Sequence, residues 1–138
     1  MAITLGVSVY PEQETIEQID AYLKLASIYG FKKVFTSMFS IEGNKDEVAQ
    51  YFKNFTGIAH QYGMKVSGDC NTKFLEKMGA DESNLSIFNE MGIDSIRIDI
   101  CYFDERDTKL INNAYNIGVE MSAAFIKPID ESIARGAN

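Results

Sequence analysis

Four acidic side chains fall where short, β-rich runs of the sequence end: Glu12, Asp69, Asp99 and Glu120. Two carboxyl groups held close together can divide acid–base work, one donating a proton and the other acting as nucleophile or base. Neighbouring parallel strands lie about 4.8 Å apart, so carboxylates at adjacent strand ends can pair closely and raise one pKa. We predict the catalytic pair among Asp69, Asp99 and Glu120, and prefer Asp99 with Glu120.

Further residues at the same strand ends are candidates for binding a small molecule. Tyr10 offers a ring plane for the apolar face of a ligand and a hydroxyl to orient it, although a buried structural tyrosine is an equal alternative. Glu12 follows Pro11 in a loop and could instead cap the next helix. Ser122 lies on the same predicted strand face as Glu120, and we include it among the substrate-binding candidates.

The stretch "SIRIDI" shows why these residues need a special environment. It alternates Ile96 and Ile98 with Arg97 and Asp99, so one face of a strand is apolar and the other is charged. The charged face either meets bulk water or points into a barrel, and there Arg97 could simply neutralise Asp99 or another carboxylate. Polar residues recur on one face of every predicted strand, as Ser8 and Tyr10, Thr36, Ser67 and Asp69, Arg97 and Asp99, and Glu120 and Ser122.

A repeated phrase predicts the elements that carry these residues. Gly30, Gly63, Gly92 and Gly118 each follow a segment of helical apolar spacing, the last of which includes Ala114, and each precedes a β-rich run. Glycine adopts the left-handed conformation that ends many helices, so each glycine predicts a helix stop. Two capping boxes, Thr15 with Gln18 and Asn44 with Glu47, predict the first two helix starts.

Together with the opening run "ITLGVSVY", the repeat predicts five βα units and a parallel sheet. The strands are expected near residues 3–10, 33–37, 64–69, 95–100 and 118–122. A doubly wound sheet is covered by helices on both faces and should be apolar on both, whereas these strands are polar on one. The sequence therefore predicts an α/β fold of the TIM-type (β/α) barrel class, here its first five βα units.

Composition narrows the function classes. The 138 residues are 46% hydrophobic, enough for a sizeable core, and the net charge of −7 disfavours nucleic acid or an anionic membrane as partner. No apolar run approaches a membrane span, and we expect a cytoplasmic protein. One histidine, His60, and two unpaired cysteines, Cys70 and Cys101, do not supply a zinc site. We expect no cofactor, although Mg²⁺ bound by the three strand-end carboxylates stays open.

Four segments, "LGVSVYPE", "YGFKKVFTSMF", "GIDSIRIDI" and "IGVEMSA", resemble the N-terminal barrel of the MupG family. The resemblance runs through essentially the whole chain in one register. It implies a TIM-type barrel followed by a small cyclophilin-like domain, and a cytoplasmic 6-phospho-N-acetylmuramidase of cell-wall recycling. The substrate would be phosphorylated N-acetylmuramic acid linked to N-acetylglucosamine. The resemblance also implies glycoside hydrolysis by the predicted carboxyl pair, one group protonating the leaving oxygen and the other acting as nucleophile or as base for water. Tyr10 would then face the sugar ring, and Arg97, the only arginine on the polar strand faces, is the candidate for holding the phosphate.

A complete barrel takes about 250 residues, so we read residues 1–138 as the N-terminal part of a barrel. The later barrel strands and the cyclophilin-like domain would be absent. Such a chain exposes two sheet edges, and we expect it to self-associate and to lack activity alone. Two alternatives remain: another carboxylate- or metal-dependent sugar-phosphate barrel enzyme, or a non-catalytic barrel fragment.

Overall fold

The computed structural model describes residues 3–100, 104–113, 117–123 and 133, which build a parallel five-stranded sheet. Its strands are β1 (Gly6–Val9), β2 (Lys33–Ser37), β3 (Lys65–Asp69), β4 (Ser95–Ile100) and β5 (Gly118–Ala123). Their spatial order is β1-β2-β3-β4-β5. A doubly wound sheet reverses its strand order at a switch point, and this sheet does not. The predicted α/β fold, a partial barrel with consecutive parallel strands, is confirmed.

Helices alternate with the strands: α1 (Ile16–Ile28), α2 (Lys45–Gln61), α3 (Thr72–Met78), α4 (Ser86–Glu90) and α5 (Glu105–Asn113). Both predicted capping boxes are present. Thr15 Oγ1 accepts a hydrogen bond from the Gln18 amide at 3.3 Å, and Asn44 Oδ1 accepts one from the Glu47 amide at 3.0 Å. The structure adds α3, a short helix that the sequence pattern did not predict.

The glycine stops are confirmed at three of four positions. Gly30, Gly63 and Gly92 have φ angles of +88°, +70° and +77°, which L residues with side chains rarely adopt. Gly118 differs, because it is the first residue of β5 and pairs with Ser95 of β4. The predictions that concern Cys101 and Ala114 lie outside the described residues.

The outer face of the sheet packs against the helices and holds the core. Val34, Val66 and Ile96 are fully buried there in one cluster with Phe52 and Phe88. Thr36, predicted on the polar face, instead lies on this outer side and is fully buried. The reason is strand alternation: Lys33 and Phe35 face inward, so Val34 and Thr36 must point outward.

Within the described ranges, no helix combines the length and apolarity needed to cross a membrane. The cytoplasmic location stays a prediction.

Candidate functional site: a polar groove on the inner face of the sheet

The inner face of the sheet forms a groove of about 460 Å³, called here the inner groove. Its lining comprises Gly6, Val7, Ser8, Tyr10, Lys33, Phe35, Asp69, Arg97 and Asp99. Four of the five strands or their carboxyl-terminal loops contribute to it, because alternate residues of each strand point to the same side. The groove therefore brings two of the three predicted catalytic carboxylates together.

Asp69 and Asp99 lie toward the carboxyl ends of neighbouring strands. Asp69 is the last residue of β3 and half-buried, and it pairs in register with Arg97 of β4. Asp99 is two residues beyond Arg97 on the same face and is exposed. Burial raises the pKa of Asp69, the charge of Asp99 raises it further, and the charge of Arg97 partly offsets both. Asp69 thus holds its proton more tightly than an ordinary aspartate.

Glu120, the third catalytic candidate, has different partners. Its Oε1 forms an ion pair with Lys33 Nζ and accepts a hydrogen bond from Ser95 Oγ at 2.6 Å. Lys33 and Ser95 are the first residues of β2 and β4, so the Glu120 carboxylate reaches toward the amino ends of the strands. Burial acts to raise the pKa of Glu120, but the bonds from Lys33 and Ser95, the lysine charge and the Ser67 hydroxyl hold it below its usual value. A catalytic role for Glu120 stays a prediction.

Arg97 spans the inner face without meeting a carboxylate. Its guanidinium carbon lies 5.1 Å from the centroid of the Phe35 ring, and its Nη2 donates to Ser122 Oγ at 3.1 Å. Among the described residues, no Asp or Glu oxygen comes within 4.0 Å of the guanidinium. The alternative that Arg97 directly pairs with Asp99 is therefore not what the structure contains. Ser122, a predicted substrate-binding residue, is the hydrogen-bond partner of Arg97.

Tyr10 and Glu12 occupy the loop after β1. Tyr10 lines the inner groove and is 46% exposed, so the alternative of a buried structural tyrosine does not hold. Glu12 is not a helix cap, because Thr15 caps α1. Its Oε2 accepts a hydrogen bond from Ser40 Oγ at 2.7 Å, which links the loops that follow β1 and β2. Substrate contacts of Tyr10, Glu12 and Ser122 stay predictions.

Sequence reasoning missed Lys33, Phe35 and Ser95 as inner-face residues. For β2, assigning Thr36 to the polar face exchanges the predicted inward and outward positions along the whole strand. Counting instead from Val34 as a core residue would have placed Lys33 and Phe35 inward. Ser95 differs because its hydroxyl matters only through Glu120, one strand away, and sequence spacing does not reveal that contact.

In the described part of the chain, no three His, Cys, Asp or Glu side chains are arranged to hold a metal ion. The Mg²⁺ hypothesis required Asp69, Asp99 and Glu120 to converge, whereas the Glu120 carboxylate points to Lys33. His60 does not belong to the groove, and its Nε2 lies 2.8 Å from Asp94 Oδ2.

Consecutive parallel strands, helices on the outer face and a polar inner groove define this chain as a segment of a TIM-type barrel protein. Comparison with protein families specifies it further. The family described as 6-phospho-N-acetylmuramidase, N-terminal, or MupG_N, matches residues 5–138. The chain belongs to this family, and the resemblance noted from its sequence is confirmed.

Solved structures show the same fold. An uncharacterized B. cereus protein is 29% identical with a TM-score of 0.75, and the match covers 100% of this chain and 36% of that one. A conserved Enterococcus faecalis protein of unknown function is 20% identical with a TM-score of 0.73, covering 99% and 37%. A thiamine phosphate pyrophosphorylase from Pyrococcus furiosus is 13% identical with a TM-score of 0.66, covering 97% and 56%. The chain thus spans little more than a third of the first two. No curated protein matches it.

Proposed function

We propose that the complete protein is a glycosidase that cleaves 6-phospho-N-acetylmuramic acid from N-acetylglucosamine during cytoplasmic recycling of cell-wall fragments. Family membership over residues 5–138 supports the substrate class. The observation that carries the proposal is the pair Asp69 and Asp99, which share the inner groove while their environments differ. Two carboxyl groups in unlike environments are what acid and nucleophile or base roles require.

Asp69 is the proposed general acid. Burial and the negative charge of Asp99 raise its pKa, so it keeps a proton in a pH range where an exposed aspartate has lost it. That proton passes to the glycosidic oxygen as the bond to the anomeric carbon breaks. The leaving N-acetylglucosamine then departs as a neutral alcohol, and Asp69 is left as a carboxylate.

Asp99 is the proposed partner carboxylate. It is exposed at the groove, next to the half-buried Asp69. It acts on the anomeric carbon from the side opposite Asp69, either by attacking the carbon or by taking a proton from the attacking water. Glu120 is the less suitable partner, because its carboxylate is already neutralised by Lys33 and bonded by Ser95.

The test uses the purified complete protein and the phosphorylated disaccharide, with products identified by mass spectrometry. We expect the two monosaccharides to appear and their rate of release to survive exhaustive chelation. Loss of cleavage on chelation and recovery with Mg²⁺ would favour a metal-dependent sugar-phosphate enzyme instead. Absence of cleavage by a folded protein would refute the proposal. Asp46→Asn, on the exposed start of α2, is a matched control that removes a carboxylate outside the groove.

A further inference from the structure

The loop that follows β1 makes a tight turn at the rim of the inner groove. Tyr10 lines the groove, and its carbonyl oxygen accepts a hydrogen bond from the Gln13 amide at 2.9 Å. Pro11, the next residue, is buried, and its ring restricts the φ angle of the backbone. The turn is therefore rigid within itself, but these contacts do not fix it to the rest of the molecule.

Glu12 ties this turn to the neighbouring loop. Its Oε2 accepts a hydrogen bond from Ser40 Oγ at 2.7 Å, and Ser40 lies between β2 and α2. A hydrogen bond donated to a carboxylate is shorter and stronger than one between neutral groups. The two loops are thus joined next to Tyr10, at the mouth of the groove.

The surroundings of Ser40 indicate that this bond adds little to stability. Ser40 Oγ also lies 3.2 Å from the Ser37 carbonyl oxygen. A hydroxyl group has one proton, so it donates to one of these acceptors at a time, and the carboxylate is the stronger acceptor. Without Glu12 the hydroxyl still has the Ser37 oxygen, and Glu12 itself is exposed. Breaking the bond therefore leaves no buried group unpaired, so its main effect is on the position of the loop.

Tyr51 of α2 shows on which side the Glu12 carboxylate lies. Burial raises the pKa of Tyr51, and the charge of Glu12 raises it further. The Tyr51 hydroxyl is buried and has no hydrogen-bond partner among the described residues. Two hydroxyl groups of the second βα unit, on Ser40 and Tyr51, thus attract the carboxylate toward α2. Glu12 is not among the described residues that line the inner groove.

We propose that Glu12 is a positioning residue: through Ser40 it holds the loop after β1 and so fixes the Tyr10 ring at the groove rim, and it acts on the substrate only through Tyr10. This role differs from the substrate contact expected for Glu12 from the sequence. The inference rests on the proposed function in taking a disaccharide as the ligand. Tyr10 has no part in the carboxyl chemistry, so its contact with the sugar is equal in the ground and transition states.

The first test is steady-state kinetics of the complete protein on the phosphorylated disaccharide. Glu12→Ala should raise KM roughly 3- to 10-fold, the scale of one lost hydrogen bond, with little change in kcat. Ser40→Ala should act alike. Glu12→Gln keeps an acceptor and Ser40→Thr keeps a donor, so both should recover most of the parental KM. Glu14→Ala, which removes an exposed carboxylate of the same loop, is the matched control and should change neither constant.

A double-variant cycle separates positioning from direct contact. Tyr10→Ala should raise KM, and adding Glu12→Ala to it should raise KM no further, because the effect of Glu12 passes through Tyr10. If the two increases multiply, Glu12 contacts the substrate itself and the inference is overturned. Parental KM in folded Glu12→Ala would also overturn it.

Hydrogen exchange of the complete protein tests the tie without substrate. The Gln13 amide, which donates to Tyr10, should exchange faster in Glu12→Ala and Ser40→Ala and at the parental rate in Glu14→Ala. Faster exchange in the first two variants, combined with no cleavage of the disaccharide by the parent, would support the tie and refute the proposed function. Cleavage by the parent, combined with parental exchange in Glu12→Ala, would refute the tie and leave the function standing.

Discussion

The two faces of the sheet are built for different purposes. The outer face is apolar and closed: Val34, Val66 and Ile96 are fully buried beneath the helices. The inner face, one residue away along each strand, carries Asp69, Arg97 and other charged groups in an open groove. Because successive side chains of a strand point to opposite faces, adjacent residues can serve stability and chemistry separately. Changes on the outer face should alter folding, and changes in the groove should alter binding and turnover.

The largest expected effect concerns the groove. Asp69→Asn and Asp99→Asn should each lower disaccharide turnover by at least roughly 100-fold, the scale of a positioned acid or base. The stability of Asp69→Asn should not fall with its activity, because the Asp69 pKa is raised in the folded protein. Folding then favours the protonated form, so parent stability declines relative to Asp69→Asn as pH rises from 3.8 through the raised pKa.

Initial rates and thermal unfolding across pH, measured on the same preparations of the complete protein, check both halves of this prediction. If both variants cleave the disaccharide at the parental rate, the catalytic pair lies elsewhere and Glu120 becomes the first candidate. If a variant loses its fold together with its activity, the groove residue is needed for stability, which would contradict the proposed difference between the two faces.

The next effect concerns the outer face. A Cβ added at Gly68 of β3 would overlap Met38 Sδ and lie 2.9 Å from its Cγ, and Met38 is itself fully buried. Gly68→Ala should therefore cost about 1–3 kcal/mol of unfolding free energy. Gly57 of α2 has nothing within 4 Å, so Gly57→Ala should stabilise by about 0.5–1 kcal/mol through helix propensity. Urea unfolding of the two alanine variants provides the measurement, and equal midpoints would contradict the packing argument.

A smaller effect on stability is expected from an inner-face residue whose contacts are structural. Glu120 faces inward, but its partners give it a structural role, and Glu120→Gln should cost about 1–2 kcal/mol by leaving Lys33 without its counter-ion. Both side chains are partly exposed, so the cost is below that of a fully buried pair. The pKa of Glu120 is lowered in the folded protein, so the carboxylate contributes stability above 4.5 that is lost as pH falls through the lowered pKa.

The difference in stability between parent and Glu120→Gln should consequently shrink on acidification. Unfolding measured at neutral pH and well below pH 4.5 tests this. A variant that is as stable as the parent but inactive would show that Glu120 belongs to the chemistry.

The smallest expected change concerns self-association, which would raise the measured mass of the isolated chain by a factor of about two. In the described sheet, β1 pairs with β2 and β5 with β4, and each presents its other edge unpaired. The helix α1 also exposes Leu25 and Ile28, by 53% and 71%. We expect the isolated 138-residue chain to self-associate with a second copy, as measured by light scattering over a concentration series, and Leu25→Glu to weaken association. A monomer at every concentration would contradict this.

Much of the fold could be predicted from sequence because its signals are local. The predicted strands at 33–37 and 95–100 match β2 and β4 residue for residue, since glycine stops and β-rich runs bound them closely. Two of the predictions failed for equally local reasons. Thr36 is polar but small enough to be buried on the outer face, and Gly118 lies within a strand instead of ending a helix.

The site could be predicted only in part. Strand ends and alternation predicted Asp69, Arg97 and Asp99 on one face, because those signals are periodic. The Lys33–Glu120 ion pair joins residues on β2 and β5, which are not neighbours in the sheet. Its formation depends on how far two long side chains reach across the inner face, which the spacing of residues in the sequence does not reveal. The separate environments of Asp69 and Glu120 follow from that pair.

The consecutive strand order described above also bears on how the protein is made. Each strand from β2 onward pairs with the strand that precedes it in the chain. During synthesis, a newly emerged strand therefore meets a partner that has already left the ribosome, and no strand waits for a distant one to be translated. The growing sheet adds each βα unit in turn, so its advancing edge stays unpaired only for the translation of about 30 residues. Protection of backbone amides on ribosome-bound chains should accordingly advance from β1 toward β5.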